Sequence, residues 1–295
     1  LSPCHSHNRY LEKCRVFINK ENRDMAKDNY GACLDFTLQA EGGLSKDRKD
    51  PGNWTGGKVG VGTFKGTKYG ISAASFPHLD IANLTLSDVK PIYKIRYWDA
   101  VGGDSLPAGF DLAVWDYGVN SGPARALREA QAIIGAKVDG KFGPETIAKS
   151  ATAGVKHIQS LCARRLSFMR SLKIWSINKN GWSARVAKVE AKGVAMYLAV
   201  TGTSAAARKT LAAEGQKASD KAATQANQGA LFGTGGTVGV SAGVPSWTGF
   251  SLAMVGVLLA TLVIFAIYRK NRQRAEAYRA EAAALKDRPL ETVSL

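Results

Sequence analysis

The sequence predicts a mainly α protein with a minor β element and one C-terminal transmembrane helix. Three observations carry that reading. Apolar residues recur at helical spacing over 28–41 and again from Ser87 to Val200. Only residues 44–75 break this pattern, with Gly-, Lys- and Thr-rich pieces and short β-prone segments (Lys58-Val-Gly-Val, Thr63-Phe). From Ala222 to Tyr268 there is no charged residue at all.

Taken in order, residues 1–24 hold no apolar run and therefore no secretory signal peptide. Met25 precedes Ala-Lys-Asp-Asn-Tyr, so residues 1–25 read as an upstream extension of the reading frame or a disordered arm. The first helix spans Asp28 to Glu41, with Cys33, Leu34, Phe36, Leu38 and Ala40 on its apolar positions and Gly42-Gly43 as its stop. Further helices are expected at Ser87–Trp98, Phe110–Val119, Ala124–Ile134, Pro144–Ala151, Gly154–Leu172 and Trp182–Val200. Residues 201–246 are rich in Ala, Gly, Thr, Ser and Gln. Their first part favours helix, and Gly229 to Gly243 reads as a flexible linker.

Trp247 to Tyr268 is almost wholly apolar. A helix rising ~1.5 Å per residue needs about 20 residues to cross a bilayer core of ~30 Å. Trp247 and Tyr268 occupy its ends, and Arg269, Lys270, Arg272 and Arg274 follow at once. The positive-inside rule then puts the tail, 269–295, in the cytoplasm and the rest outside. Export of such a chain runs through its own C-terminal helix, a holin or another export pore.

The 295 residues carry 40 Lys+Arg against 24 Asp+Glu, a net charge of +16, and 45% are hydrophobic. That apolar fraction excludes full disorder. The charge calls for an anionic partner, whether nucleic acid, anionic lipid or the acidic polymers of a bacterial wall. Nucleic acid fits least, because the basic residues are spread through helices with no recognition motif. Four cysteines without C-x-x-C spacing and four histidines without H-E-x-x-H point to no metal site, and no cofactor site is evident.

The sharpest chemical feature is Glu41-Gly42-Gly43, followed by Asp50-Pro51-Gly52 and Thr55. A carboxyl in a last helical turn meets the negative end of the macrodipole, which disfavours its charged form. Partial burial acts in the same direction, so such a Glu can keep its proton and give it to a glycosidic oxygen. Asp50, beyond the Gly-Gly turn, can fold back opposite Glu41, with Thr55 positioning water. A carboxyl separation of ~5–5.5 Å implies retention of configuration, and ~6.5–9.5 Å inversion. Trp54, Tyr69, Tyr97, Trp98 and Tyr117 offer flat faces to sugar rings, and Asn120 a hydrogen bond to an N-acetyl group.

Glu41-Gly-Gly, Asp50-Pro-Gly-Asn-Trp-Thr55 and Lys68-Tyr-Gly-Ile71 resemble the signature of glycoside hydrolase family 108, which runs E-G-G, D-P-G-G-x-T and then a G-I pair. The resemblance continues through Tyr97-Trp98-Asp99, Asp116-Tyr-Gly-Val-Asn120-Ser-Gly122 and Ala126-Leu-Arg-Glu-Ala-Gln131. Val138-Asp-Gly-Lys-Phe-Gly-Pro-Glu-Thr146 and Gly181-Trp182-x-x-Arg185 are similar to a small helical peptidoglycan-binding domain. The resemblance implies a muramidase of phages or bacterial export systems with a lysozyme-like α+β fold. It implies the catalytic Glu at Glu41, and the acidic and hydroxyl positions at Asp50 and Thr55. Two departures stand out: Asn53 replaces the second Gly, and residues 56–66 form an insertion.

The resulting expectation is an arm at 1–25, a lysozyme-like catalytic domain at 26–118 and a helical peptidoglycan-binding domain at 119–200. A linker at 201–246, a transmembrane helix at 247–268 and the tail complete it. The activity expected is hydrolysis of the β-1,4 bond between N-acetylmuramic acid and N-acetylglucosamine, at the bacterial inner membrane and facing the periplasm and wall. Glu41, Asp50 and Thr55 are the expected catalytic residues; Tyr69, Trp98, Tyr117 and Asn120 are the expected substrate contacts. Peptidoglycan is the partner, with membrane lipid met through 247–268. The alternatives are a non-catalytic peptidoglycan-binding protein and a lytic transglycosylase using Glu41 alone.

Overall fold

The computed structural model describes residues 29–39, 43–234 and 247–285, with the side chains of 229–259 and 261 excepted. Glu41, the arm at 1–25, the segment 235–246 and the last ten residues of the tail lie outside the described residues. The chain divides into two compact units between Leu161 and Cys162.

The first unit is helical with one small β element. Helix α1 (Asn29–Leu38) buries Cys33, Leu34 and Thr37, so a threonine, and not Phe36 or Leu38, completes its inner face. Residues 43–85 hold one regular strand pair, β1 (Thr67–Lys68) antiparallel to β2 (Ile71–Ser72), with Thr67 opposite Ser72. Tyr69 and Gly70 join them with φ of 50° and 73°. Two positive φ values in a two-residue loop suit the right-handed strand twist, and glycine adopts that conformation freely where tyrosine does not.

Helix α2 (Leu86–Tyr93) starts on a capping box, in which the Thr85 hydroxyl and the Asp88 carboxylate satisfy each other's backbone N–H. It runs into a π-helical turn, Lys94–Trp98, and then one α-turn, Asp99–Val101. The extra residue of a π-turn rotates the helix face. Tyr93 and Trp98 both end in the core.

The centre of the unit is α3 (Phe110–Ser121), buried continuously from Phe110 to Gly118. A helix buried on every face must be enclosed by its neighbours, and here it takes two acids, Asp111 and Asp116, into the core with it. The domain boundary expected between residues 118 and 119 falls inside this helix, so the division cannot lie there. Helices α4 (Pro123–Ile134) and α5 (Pro144–Ser150) follow, and α6 (Val155–Arg170) runs across the boundary into the second unit. Pro123 and Pro144 open their helices at a first-turn position where the missing N–H costs nothing. Buried Gln131 ties the loop between α4 and α5 together. Its amide donates to Asp139, the Lys141 carbonyl and Thr146, and its carbonyl accepts from the Gly140 N–H.

The second unit contains α7 (Trp175–Thr201), α8 (Ser204–Thr234) and α9 (Trp247–Ala284). Helix α7 begins seven residues earlier than expected, where the Trp175 and Trp182 rings meet at 6.2 Å. Helix α8 replaces much of the expected linker. Ala207, Leu211, Ala218 and Ala222 are buried at spacings of four, seven and four, one helical stripe built mostly from the best helix former. Helices α8 and α9 run antiparallel. Gln225 accepts from the Asn271 amide, Ser219 from Arg279, and Gly215 lies against the Tyr278 Cβ.

Among the described residues no helix is long and apolar enough to cross a membrane. The expected topology needs a second correction. Glu190 on α7, expected outside, accepts hydrogen bonds from Arg274 and Tyr278 on α9, expected in the cytoplasm. Lys192 also pairs with Glu281 at 3.6 Å. Groups joined by hydrogen bonds share one side of any membrane, so this fold holds the described part of the tail beside α7.

Candidate active site

The candidate active site belongs to the first unit and is built on α1, the segment 45–72, α2 and α3. Glu41 lies outside the described residues, but the element that leads to it is fixed in detail. The Asn29 amide donates to Asp111 at 2.9 Å, the Tyr30 hydroxyl donates to the Lys90 carbonyl, and the Thr37 hydroxyl donates to Asp116 at 3.0 Å. Thr37 stands four residues before Glu41 in the sequence.

Asp111 and Asp116 are fully buried on α3. Burial pushes the Asp111 carboxyl up to about 7, against the opposing pull of N–H donors from Asn29, Leu112 and Gly109. Desolvation outweighs three hydrogen bonds here because the side chain sees almost no water. In the sequence the segment Asp116-Tyr-Gly-Val-Asn stands out only as part of a motif. Nothing in the spacing assigned Asp116 or Asp111 a function, since acids on a buried helix are legible only once the helix is known to be buried.

Asp50 is exposed and caps the 3-10 turn Pro51–Asn53, its Oδ1 accepting the Gly52 N–H at 2.8 Å. One carboxylate oxygen therefore holds the turn, which leaves Oδ2 for chemistry. Asn53, the departure from the family pattern, is wholly buried and joins three segments. Its amide donates to the Asp47 carbonyl, its Oδ1 accepts from Thr67, and its backbone carbonyl accepts from Lys65 and Gly66.

Thr55 opens a hairpin made by the insertion. Its N–H donates to the Thr63 carbonyl, its hydroxyl oxygen accepts from the Thr63 N–H, and Trp54 bridges to Phe64. A Cβ on Gly62 would stand 2.3 Å from the Thr55 hydroxyl oxygen, so glycine is required for the hairpin to close on that side chain. Beside it, Trp54, Phe64 and Arg48 stack, with the rings 5.1 Å apart and the guanidinium 4.7 Å from the Phe64 ring.

Of the expected sugar contacts, two are available and two are not. Tyr69 is half-buried in its strained turn, its carbonyl accepting from the Tyr93 hydroxyl at 3.0 Å and Lys68 lying 5.4 Å from its ring. Asn120 is exposed, on the last turn of α3 and not in a loop. Trp98 and Tyr117 are fully buried, which corrects their assignment as sugar platforms. The Trp98 indole N–H donates to Asp104, and its ring packs on Trp115 and Tyr30 at 5.8 and 5.4 Å. A ring enclosed in that cluster has no face left for a glycan.

Two comparisons bear on this geometry. The glycosyl hydrolase 108 family model matches residues 34–122, a stretch that contains every candidate residue named above except Asn29 and Tyr30. The solved structure of SagA from Brucella abortus is 31% identical, with a TM-score of 0.50, over 58% of this chain and 97% of that one. The chain belongs to the glycosyl hydrolase 108 family. Its first unit is a glycoside hydrolase domain, and the family match ends at Gly122, where α3 gives way to α4. No curated protein matches the chain. Among the described residues, no group of three or more His, Cys, Asp or Glu side chains is placed to hold a metal ion.

Proposed function

We propose that the chain is a peptidoglycan muramidase, hydrolysing the β-1,4 bond between N-acetylmuramic acid and N-acetylglucosamine. Glu41 is the general acid, Asp50 the nucleophile or the base that activates water, and Thr55 assists in placing that water. The observation that carries the proposal is the family match, which spans Glu41, Asp50 and Thr55 in one continuous stretch. The fixing of α1 by Thr37 and Asp116 supports it, because a general acid must be aimed within hydrogen-bond reach of the leaving oxygen. Tyr69 and Asn120 are the proposed glycan contacts. The helices between Gly122 and residue 200 are the proposed peptidoglycan-binding part, and residues 247–268 hold the enzyme at the bacterial inner membrane, facing the wall.

A second reading, a lytic transglycosylase, is favoured by one observation. Asp50 spends an oxygen on capping its turn, and a transglycosylase needs Glu41 alone. Mass spectrometry of muropeptides released from purified peptidoglycan separates the two. Reducing-end products sensitive to both Glu41→Gln and Asp50→Asn support the hydrolase. Products ending in 1,6-anhydro sugars, lost in Glu41→Gln and retained in Asp50→Asn, support the transglycosylase. Binding of the wall with no product from the wild type defeats both and leaves a non-catalytic binding protein.

A further inference from the structure

The second unit carries an apolar surface that the glycan chemistry leaves unused. On α9, Leu262, Val263 and Phe265 are 56%, 57% and 57% exposed, within a run that has no charge from Ala222 onward. Tyr268 ends that run, and Arg269, Lys270 and Arg272 follow within one turn. Apolar side chains, then an aromatic ring, then cations is the order of depths met on leaving a bilayer.

The antiparallel partner repeats the order in the opposite chain direction. Helix α8 carries Lys217 and Lys221 and then no further charge, and its Gln225 lies beside Asn271. Both helices therefore keep their charges at the same end of the pair. Cations are also in excess at that end. Burial pushes the Lys270 ammonium down, and Arg170, Arg274 and Lys221 push it the same way, with Glu190 alone opposing. Between the helices a cleft of about 430 Å³ is lined by Ala222, Ala226 and Ala275, by Tyr268 and Arg279, and by Arg272 with its ion-pair partner Glu276 at 2.9 Å.

We propose that this face docks on an anionic phospholipid bilayer, with both charged flanks of the apolar run on one side of it. Leu262, Val263 and Phe265 enter the acyl layer, Tyr268 sits at headgroup level, and Arg269 and Arg272 meet the phosphates. Glu190 holds Arg274 and Tyr278, so the part of α9 after Tyr268 stays beside α7 and does not cross. The proposal rests on the membrane attachment proposed above and replaces a crossing helix with a one-sided hairpin.

The test uses the full chain in flotation with vesicles of phosphatidylethanolamine and phosphatidylglycerol, or of phosphatidylcholine alone. Binding is expected to be at least tenfold tighter on the anionic vesicles and to weaken with salt. Phe265→Asp is expected to lose at least tenfold on them, whereas Val59→Asp, the same change at an exposed valine of the first unit, loses nothing. No flotation overturns membrane attachment altogether, and flotation indifferent to Phe265→Asp overturns docking through this face while leaving attachment intact. Concentration-dependent dimers dissolved by Phe265→Asp, without flotation, assign the face to a second copy and overturn it too.

Topology is read separately, on protein taken from bacterial membranes and reconstituted in the same anionic vesicles. Spin labels at Lys188→Cys and Ala284→Cys, with Cys4 and Cys14 replaced by Ser, report whether α7 and the end of α9 share a side. Separations below about 30 Å in vesicles are expected. Values beyond about 40 Å, the full bilayer thickness, overturn the one-sided hairpin while leaving attachment intact.

Discussion

The Thr37 hydroxyl donates to the Asp116 carboxylate at 3.0 Å, and both side chains are fully buried. This bond joins α1, the helix that leads to the proposed acid, to α3, the buried axis of the hydrolase unit. Thr37→Val is predicted to leave a buried carboxylate short of a donor, at a cost of about 1–3 kcal/mol. The expected readout is a lower urea midpoint at unchanged m-value, together with slower wall lysis. Unchanged stability would show that the bond does not anchor α1.

Asp111 makes stability depend on pH. Its folded carboxyl is pushed up to about 7 from the ordinary 3.8 by burial. Between those values the folded state keeps a proton that the unfolded state has released. Stability from this group is therefore full below about pH 4, falls as pH rises towards 7 and is flat above. The loss is about 4 kcal/mol at most. Asp111→Asn is predicted to flatten that fall relative to wild type in urea titrations across the same window. An equal slope in both proteins would contradict it.

Asn53 occupies the position where the family pattern has glycine. Asn53→Gly removes the bonds to Asp47 and Thr67 and is predicted to cost about 1–3 kcal/mol, although it restores the family residue. Equal or higher stability of the glycine variant, measured by thermal or urea unfolding, would show that the buried amide does not hold the three segments together.

Tyr69 separates backbone strain from glycan binding. Its φ of 50° costs tyrosine energy that glycine would not spend. Tyr69→Gly is predicted to be as stable as wild type or more so, and to raise KM for soluble glycan fragments several-fold. An unchanged KM would remove Tyr69 from the list of glycan contacts.

Helices were legible where apolar spacing and Pro starts coincide, as at Pro123–Ile134 and Pro144–Ser150. The helix at Ser204–Thr234 was legible in its first part, where Ala, Leu, Lys and Glu favour helix, but its far end was not, because the glycines from Gly229 onward pull composition towards a linker. Trp98 and Tyr117 look like sugar platforms in a sequence because an aromatic ring carries the same letter inside and outside a core. The π-turn at Lys94–Trp98, which aims Trp98 inward, leaves no mark in composition. Asp50 and Thr55 were recognised through their motif. That each also holds a turn through Gly52 or Thr63 follows from backbone geometry, which spacing alone does not fix. The bond from Arg274 to Glu190 joins residues 84 apart, and charge rules for loops take no account of such partners.

The most direct measurement compares wild type with Glu41→Gln for the rate of glycosidic bond cleavage in purified peptidoglycan, with folding checked by the same unfolding midpoint. Proton donation by Glu41 predicts a loss of at least about a hundredfold, the size typical of removing a general acid, at unchanged stability. A Glu41→Gln protein that cleaves the wall as fast as wild type would contradict the assignment of that carboxyl as the acid.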